Sequence, residues 1–112
     1  MNNKDIHLDL LRKLEANPSL TQRELSREMG VSLGKVNYCM KKLLTKGLIK
    51  LNSFSSNPNK LRYAYLLTPK GIEEKAKLTV KFLKIKMDEY ELLKEEIKLL
   101  QEDTKKINSK RK

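Results

Sequence analysis

The chain has 112 residues, with 25 Lys plus Arg against 14 Asp plus Glu and a formal net charge of +11. That length allows one domain, and 38% hydrophobic against 35% charged residues allows only a small core, which argues against a large internal cavity and an elaborate enzyme. No apolar run approaches the ~20 residues that cross a bilayer, the start MNNKDIHLDL lacks the pattern of a signal peptide, and one cysteine (Cys39) with one histidine (His7) offers neither a disulfide nor a metal cluster. A cytoplasmic chain without membrane association, metal or cofactor is expected.

Ile6, Leu10, Leu11 and Leu14 recur at helical spacing until Asn17-Pro18, which predicts a first amphipathic helix over residues 4 to 16. Thr21-Gln22-Arg23-Glu24 fits a capping box, with Leu20 and Leu25 placed as a hydrophobic staple, so a second, short helix starts there and ends at Gly30. Ser32 caps a third helix whose buried stripe is Val36, Met40, Leu43 and Leu44, and Gly47 closes it. Two short helices joined by a tight Gly-containing turn, the second basic and acid-free, are the signature of a helix-turn-helix.

The period then changes from helix to strand. Leu48 to Phe54 and Leu61 to Leu67 read as two strands, with Ser55-Ser56-Asn57-Pro58-Asn59 as the turn between them. Thr68, Pro69 and the pair Leu67 and Ile72 open a last helix, which meets no Pro or Gly after Gly71 and can run to about residue 106, more than ~50 Å at ~1.5 Å per residue. The fold class is therefore mainly α with a small β-hairpin: a winged helix-turn-helix over 1–71, a long dimerisation helix over 72–107 and a flexible basic tail over 108–112.

Charge placement points to a partner. Between Met29 and Ile72 there are eight basic residues and no Asp or Glu, a single-sign segment suited to a polyanion. In the third helix the outward residues are Ser32, Leu33, Gly34, Lys35, Asn37, Tyr38, Lys41 and Lys42. Lys35 and Asn37 suit base edges and Leu33 a thymine methyl, while Ser32, Tyr38, Lys41 and Lys42 suit phosphates. A close approach of DNA to Gly34 would explain a residue that costs a helix ~1 kcal/mol relative to Ala. Thr21, Gln22 and Arg23 start the preceding helix, where amides and a cation suit a phosphate. Asn57, Asn59, Lys60 and Arg62 belong to the wing, with Lys60 and Arg62 read either as groove contacts or as charges that solvate a loop.

In the long helix, Ala76, Leu83, Tyr90, Ile97 and Thr104 share one heptad position, and Ile72, Thr79, Leu93, Leu100 and Ile107 lie three residues further on, interrupted by Lys86. Leu78, Phe82, Ile85, Leu92 and Leu99 form a second apolar face. One face can pack on the chain's own winged domain. The other implies a homodimer built on Leu83, Tyr90, Leu93, Ile97 and Leu100. Cys39 reads as a buried small hydrophobe, His7 as a solvent-facing helix residue, and the acidic pairs Glu95-Glu96 and Glu102-Asp103 as solvated helix faces; no set of nucleophile, acid–base pair or metal ligands marks an enzyme.

The run from Leu20 to Tyr38 (LTQRELSREMGVSLGKVNY), then Lys46-Gly47-Leu48-Ile49, then Leu66-Leu67-Thr68-Pro69-Lys70-Gly71, resembles the MarR-type winged-helix regulators, and most of all their small subgroup associated with exopolysaccharide gene clusters. The resemblance covers roughly residues 5 to 100. It implies a dimer, sequence-specific binding of double-stranded DNA, and a role in transcription of surface polysaccharide genes. Typical members have additional dimerisation helices that help enclose an aromatic effector, whereas this chain has a brief first helix and one long last helix, which leaves a small-molecule effector doubtful. From the residues alone, a sequence-indifferent nucleic-acid-binding architectural protein using the same basic surface, or an adaptor using the long helix, remains an alternative.

Overall fold

The computed structural model describes the backbone of residues 3–57 and 60–110 and, within these, the side chains of residues 5–52 and 63–110. Six elements follow in chain order: α1 (Asn3–Ala16), α2 (Gln22–Met29), α3 (Leu33–Thr45), β1 (Ile49–Asn57), β2 (Lys60–Leu67) and α4 (Pro69–Lys110). The chain divides into two compact units inside α4, at Thr79/Val80.

The core of the first unit is assembled from one stripe of each element. Ile6, Leu10, Leu11 and Leu14 of α1, Leu25 and Met29 of α2, and Val36, Cys39, Met40 and Leu43 of α3 are buried together with Leu48, Ile49, Ala64 and Leu78. Every α1 position picked out by helical spacing is inside, because an amphipathic helix this short gains its stability from packing rather than from propensity. Asn17 ends α1: its Oδ1 accepts from the Ser19 amide at 3.1 Å. The next carbonyl, that of Pro18, accepts from the Tyr65 amide at 3.1 Å and ties this loop to β2.

The helix ends follow the expected capping chemistry. Thr21 and Glu24 close a capping box on α2, the Glu24 amide donating to Thr21 Oγ1 at 3.1 Å. Gly30 is left-handed (φ 66°), and both its amide and that of Val31 donate to the Ser26 carbonyl. Only a residue without a Cβ adopts this conformation freely, and it turns the chain within two residues into Ser32, whose Oγ accepts from the Lys35 amide at 3.1 Å to start α3. The Ser26 hydroxyl donates to the Val31 carbonyl across the same turn.

β1 and β2 pair antiparallel from Ile49↔Leu67 to Asn57↔Lys60, with a register shift between Ser55 and Asn57. The connection is therefore shorter than the five-residue turn expected from composition: Ser55, Ser56 and Asn57 are strand, because a bulge lets the ladder continue past them. Pro58 and Asn59 lie outside the described residues.

The hairpin and α4 meet at a tight joint. Thr68 donates its hydroxyl to the Gly47 carbonyl at 2.6 Å, accepts the Gly71 amide at 3.0 Å, and donates its own amide to the Leu48 carbonyl at 3.0 Å. Thr68 is thus the cap of α4. The cap and the buried Gly71 anchor the helix start, and Ile72 stays 52% exposed. A Cβ on Gly71 would lie 1.9 Å from the Leu48 carbonyl oxygen. α4 continues to Lys110, past the end expected near residue 106, since basic residues in a last turn favour the negative end of the helix dipole.

His7 corrects the sequence reading. It is 7% exposed rather than solvent-facing, and its Nε2 has no hydrogen-bond partner. One helical turn before Leu10 and Leu11, it shares the inner face of α1 and is carried into the core with it. Burial, then the charges of Lys46 and Lys42, hold its pKa below the ordinary 6.5 against an opposing pull from Glu74, with Lys35 also lowering it.

Candidate nucleic-acid interface

Helical spacing divides α3 into a buried face, an outward face and two flanks. Val36, Cys39, Met40 and Leu43 are buried, so Gly34, Tyr38, Lys41 and Thr45 form the opposite, outward face, all exposed. Asn37 lies on the flank toward α2 and is half-buried; Lys35 and Lys42 lie on the other flank, the first half-buried and the second exposed. Ser32 and Leu33 stand exposed at the helix start, Leu33 at 39%. All eight α3 residues expected to face a ligand are therefore accessible at least in part. Thr45 joins them, and the spacing 34, 38, 41, 45 could have found it.

Tyr38 organises the cations. Its ring, 47% exposed, lies 5.0 Å from Lys42 Nζ and 5.8 Å from Lys35 Nζ. These are i+4 and i−3 neighbours, which share a helix face, and the ring's negative surface attracts each ammonium. A hydrogen bond to Tyr38, then the charge of that phenol, raises the Lys42 pKa above its ordinary value. Two positive charges are thus held on one aromatic platform within a sequence segment that carries no acids.

Two further arrangements connect α3 to α2. Asn37 Nδ2 donates to Gln22 Oε1 at 3.0 Å, joining residues fifteen apart. At the cap, the Thr21 hydroxyl donates to Glu24 Oε1 at 3.0 Å and the Thr21 amide reaches the same oxygen at 3.4 Å. A carboxylate thus occupies the helix start that the sequence suggested for a phosphate, and Arg23 is the exposed cation beside it. Gly34 has nothing within 4 Å of where a Cβ would stand, so its lack of a side chain is not required by the fold.

At the wing, Asn59 lies outside the described residues, as do the side chains of Asn57, Lys60 and Arg62, whose backbone is strand. Cys39 is fully buried, and burial raises its thiol pKa. Among the described residues no group of three or more His, Cys, Asp or Glu could hold a metal ion. No helix among them is long and apolar enough to cross a membrane.

In the second unit the side chains proposed for an interface are open. Leu83 is 59% exposed, Tyr90 59%, Leu93 52%, Ile97 46% and Leu100 65%. Val80 and Met87, outside both heptad series, are exposed as well. Met87 follows Lys86, so apolar surface continues beside the interruption. Lys94 Nζ sits 5.4 Å from the Tyr90 ring.

Residues 4–50, from α1 to the start of β1, match the family model described as winged helix-turn-helix DNA-binding. No curated protein matches the chain. Among solved structures, Staphylococcus aureus MarR in complex with salicylate and kanamycin shares 20% identity at a TM-score of 0.56, over 73% of this chain and 53% of that one. The PcaV transcriptional regulator from Streptomyces coelicolor with its natural ligand shares 21% at 0.61, over 71% and 55%. The S. aureus MepR–DNA complex shares 20% at 0.61, over 79% and 60%. This chain spans about half the length of the first two. At such identities the likeness is one of fold, and the fold is a winged helix-turn-helix like that of the MarR structures.

Proposed function

We propose that the chain is a homodimeric, sequence-specific DNA-binding transcriptional regulator that reads an inverted-repeat operator with α3 in the major groove. The observation that carries this reading is the outward face of α3: two lysines held on Tyr38, Lys41 beside them, and open backbone at Gly34, in a segment without acids. A helix in this position of the motif enters the major groove with its N-terminal residues toward base edges. The family model described as DNA-binding and the MepR–DNA complex support the same partner.

Lys35 and Asn37, with Leu33, read bases; Ser32, Tyr38, Lys41, Lys42 and Arg23 hold phosphates; and the wing residues Asn57, Asn59, Lys60 and Arg62 reach the flanking groove. The winged domain of residues 1–71 is carried on the helix of residues 72–107. A second copy covers Leu83, Tyr90, Leu93, Ile97 and Leu100, which fits apolar surface left open along four heptads. Two copies related by a two-fold axis place their α3 helices about 10 base pairs or a multiple apart. The resemblance to the exopolysaccharide-associated subgroup supports surface polysaccharide genes as the target.

Selection of random DNA duplexes on the purified protein, at about physiological salt, tests the reading. An enriched inverted repeat is expected. Retained binding with a flat distribution would instead favour a sequence-indifferent architectural protein, and absence of binding would overturn both.

A further inference from the structure

Resting on the reading of the chain as a sequence-specific DNA binder, we propose that Gln22 and Asn37 act as one base-reading unit. Gln22 is its positioning residue: it fixes the Asn37 amide for an adenine of the bound site. The juxtaposition that points to this is the 3.0 Å bond from Asn37 Nδ2 to Gln22 Oε1, made by two half-buried side chains where the start of α2 meets the flank of α3.

A primary amide carries one acceptor oxygen and two donor hydrogens. The bond to Gln22 uses one hydrogen and leaves Asn37 Oδ1 and the second Nδ2 hydrogen, an acceptor beside a donor. In the major groove adenine presents the complement, an N6 donor beside the N7 acceptor, whereas guanine presents two acceptors. Orientation decides whether that match is made. The terminal torsion of an asparagine is broad and close to two-fold, so an unheld amide exchanges its oxygen and nitrogen at little cost. Gln22 Oε1 accepts only from the nitrogen end. With Gln22 in this orientation the bond marks which end of Asn37 faces which way; it also occupies one Nδ2 hydrogen, leaving a single donor where guanine would take two, and it removes freedom that binding would otherwise have to remove.

Gln22 is itself well placed for this task. It is the first residue of α2, directly after the Thr21 cap, whose reciprocal bonds with Glu24 hold the start of the helix. The left-handed Gly30 turn sets how α2 meets α3, and so which α2 residue lies opposite Asn37. This assignment moves Gln22 from phosphate contact to base selection.

The experiment measures binding of the wild type, Gln22→Ala, Asn37→Ala, the double variant and Gln22→Glu. The probes are the selected duplex and derivatives with each base pair of the half-site replaced in turn. Discrimination for an A·T pair at one position, on the order of tenfold to a hundredfold in the wild type, is expected to fall in both single alanine variants, by less in Gln22→Ala than in Asn37→Ala, with the double variant no worse than Asn37→Ala. Gln22→Glu keeps the acceptor and is expected to retain that preference despite weaker overall binding from its added charge. Unchanged melting temperatures would separate this from a folding defect. The inference is overturned if Gln22→Ala leaves discrimination intact, alters a different base pair, or weakens all sequences alike while the wild type remains specific. A wild type without sequence preference would instead overturn the regulator reading itself.

Discussion

Placing the same substitution at two glycines tests whether the packing around α4 is understood. At Gly71 an added Cβ would lie 1.9 Å from the Leu48 oxygen and 2.9 Å from its carbonyl carbon, both backbone atoms. Carbon–oxygen contacts normally begin near ~3.3 Å, so the start of α4 and the Leu48 carbonyl must part by about 1.4 Å. That movement breaks the 3.0 Å bond from the Thr68 amide to the same oxygen, a loss of about 1 kcal/mol, and adds overpacking of about 1 to 3 kcal/mol. Gly71→Ala should therefore destabilise the protein by about 2 to 4 kcal/mol, lowering the melting temperature by about 10 °C or more. At Gly34 an added Cβ meets nothing within 4 Å, and this residue is not among the glycines with positive φ. Gly34→Ala should stabilise by about 0.5 to 1 kcal/mol through helix propensity alone. Urea unfolding followed by helix circular dichroism, at one fixed protein concentration, measures both. A Gly71→Ala midpoint at the wild-type value, or equal midpoints for the two variants, would refute the reasoning.

On the proposed reading, in which the duplex approaches the open backbone at Gly34, Gly34→Ala should also weaken DNA binding while raising stability; parallel changes in both measurements would contradict this. Lys35→Ala should relax preference at particular base pairs by about 1 to 3 kcal/mol, whereas Lys41→Ala should weaken all duplexes similarly and flatten the salt dependence, as titration at several salt concentrations would show. The folded pKa of His7 is held below 6.5, chiefly by burial, so the unfolded chain binds the extra proton. The corresponding stability is present above about pH 6.5 and is lost as pH falls below it. His7→Leu should remove that part of the slope in unfolding measured between about pH 5 and 7.5. Leu93→Asp should release monomers, and sedimentation showing an unchanged dimer would move the interface elsewhere.

The order of elements was legible because each boundary carries local chemistry. Thr21 with Glu24, Ser32 with Gly30, and Thr68 before Pro69 act within four residues of chain, and all three caps stand where the sequence put them. The misjudged details depend on what lies opposite. Ser55 to Asn57 have turn composition, yet their pairing with β2 keeps them in strand. His7 is polar by type, but its place relative to Leu10 and Leu11 carries it inward and leaves Nε2 without a partner. Gly71 looked like an ordinary residue of a first helical turn; its necessity lies in the Leu48 carbonyl, twenty-three positions earlier in the chain.

The same distinction explains what could be read of the candidate interface. Charge is a property of single residues, so an acid-free segment from Met29 to Ile72 points to a polyanion before any fold is known. Helical spacing then suffices to place Lys35 and Lys42 about Tyr38, since i−3 and i+4 neighbours meet on any helix. The hydrogen bond between Gln22 and Asn37 has no such local rule. It joins residues fifteen apart, brought within reach by the packing of α2 on α3, and it occupies one hydrogen-bonding position of each amide. An asparagine judged alone offers two interchangeable ends. In the proposed unit Gln22 takes one Nδ2 hydrogen of Asn37 and leaves one acceptor beside one donor, the complement of adenine but not of guanine's two acceptors.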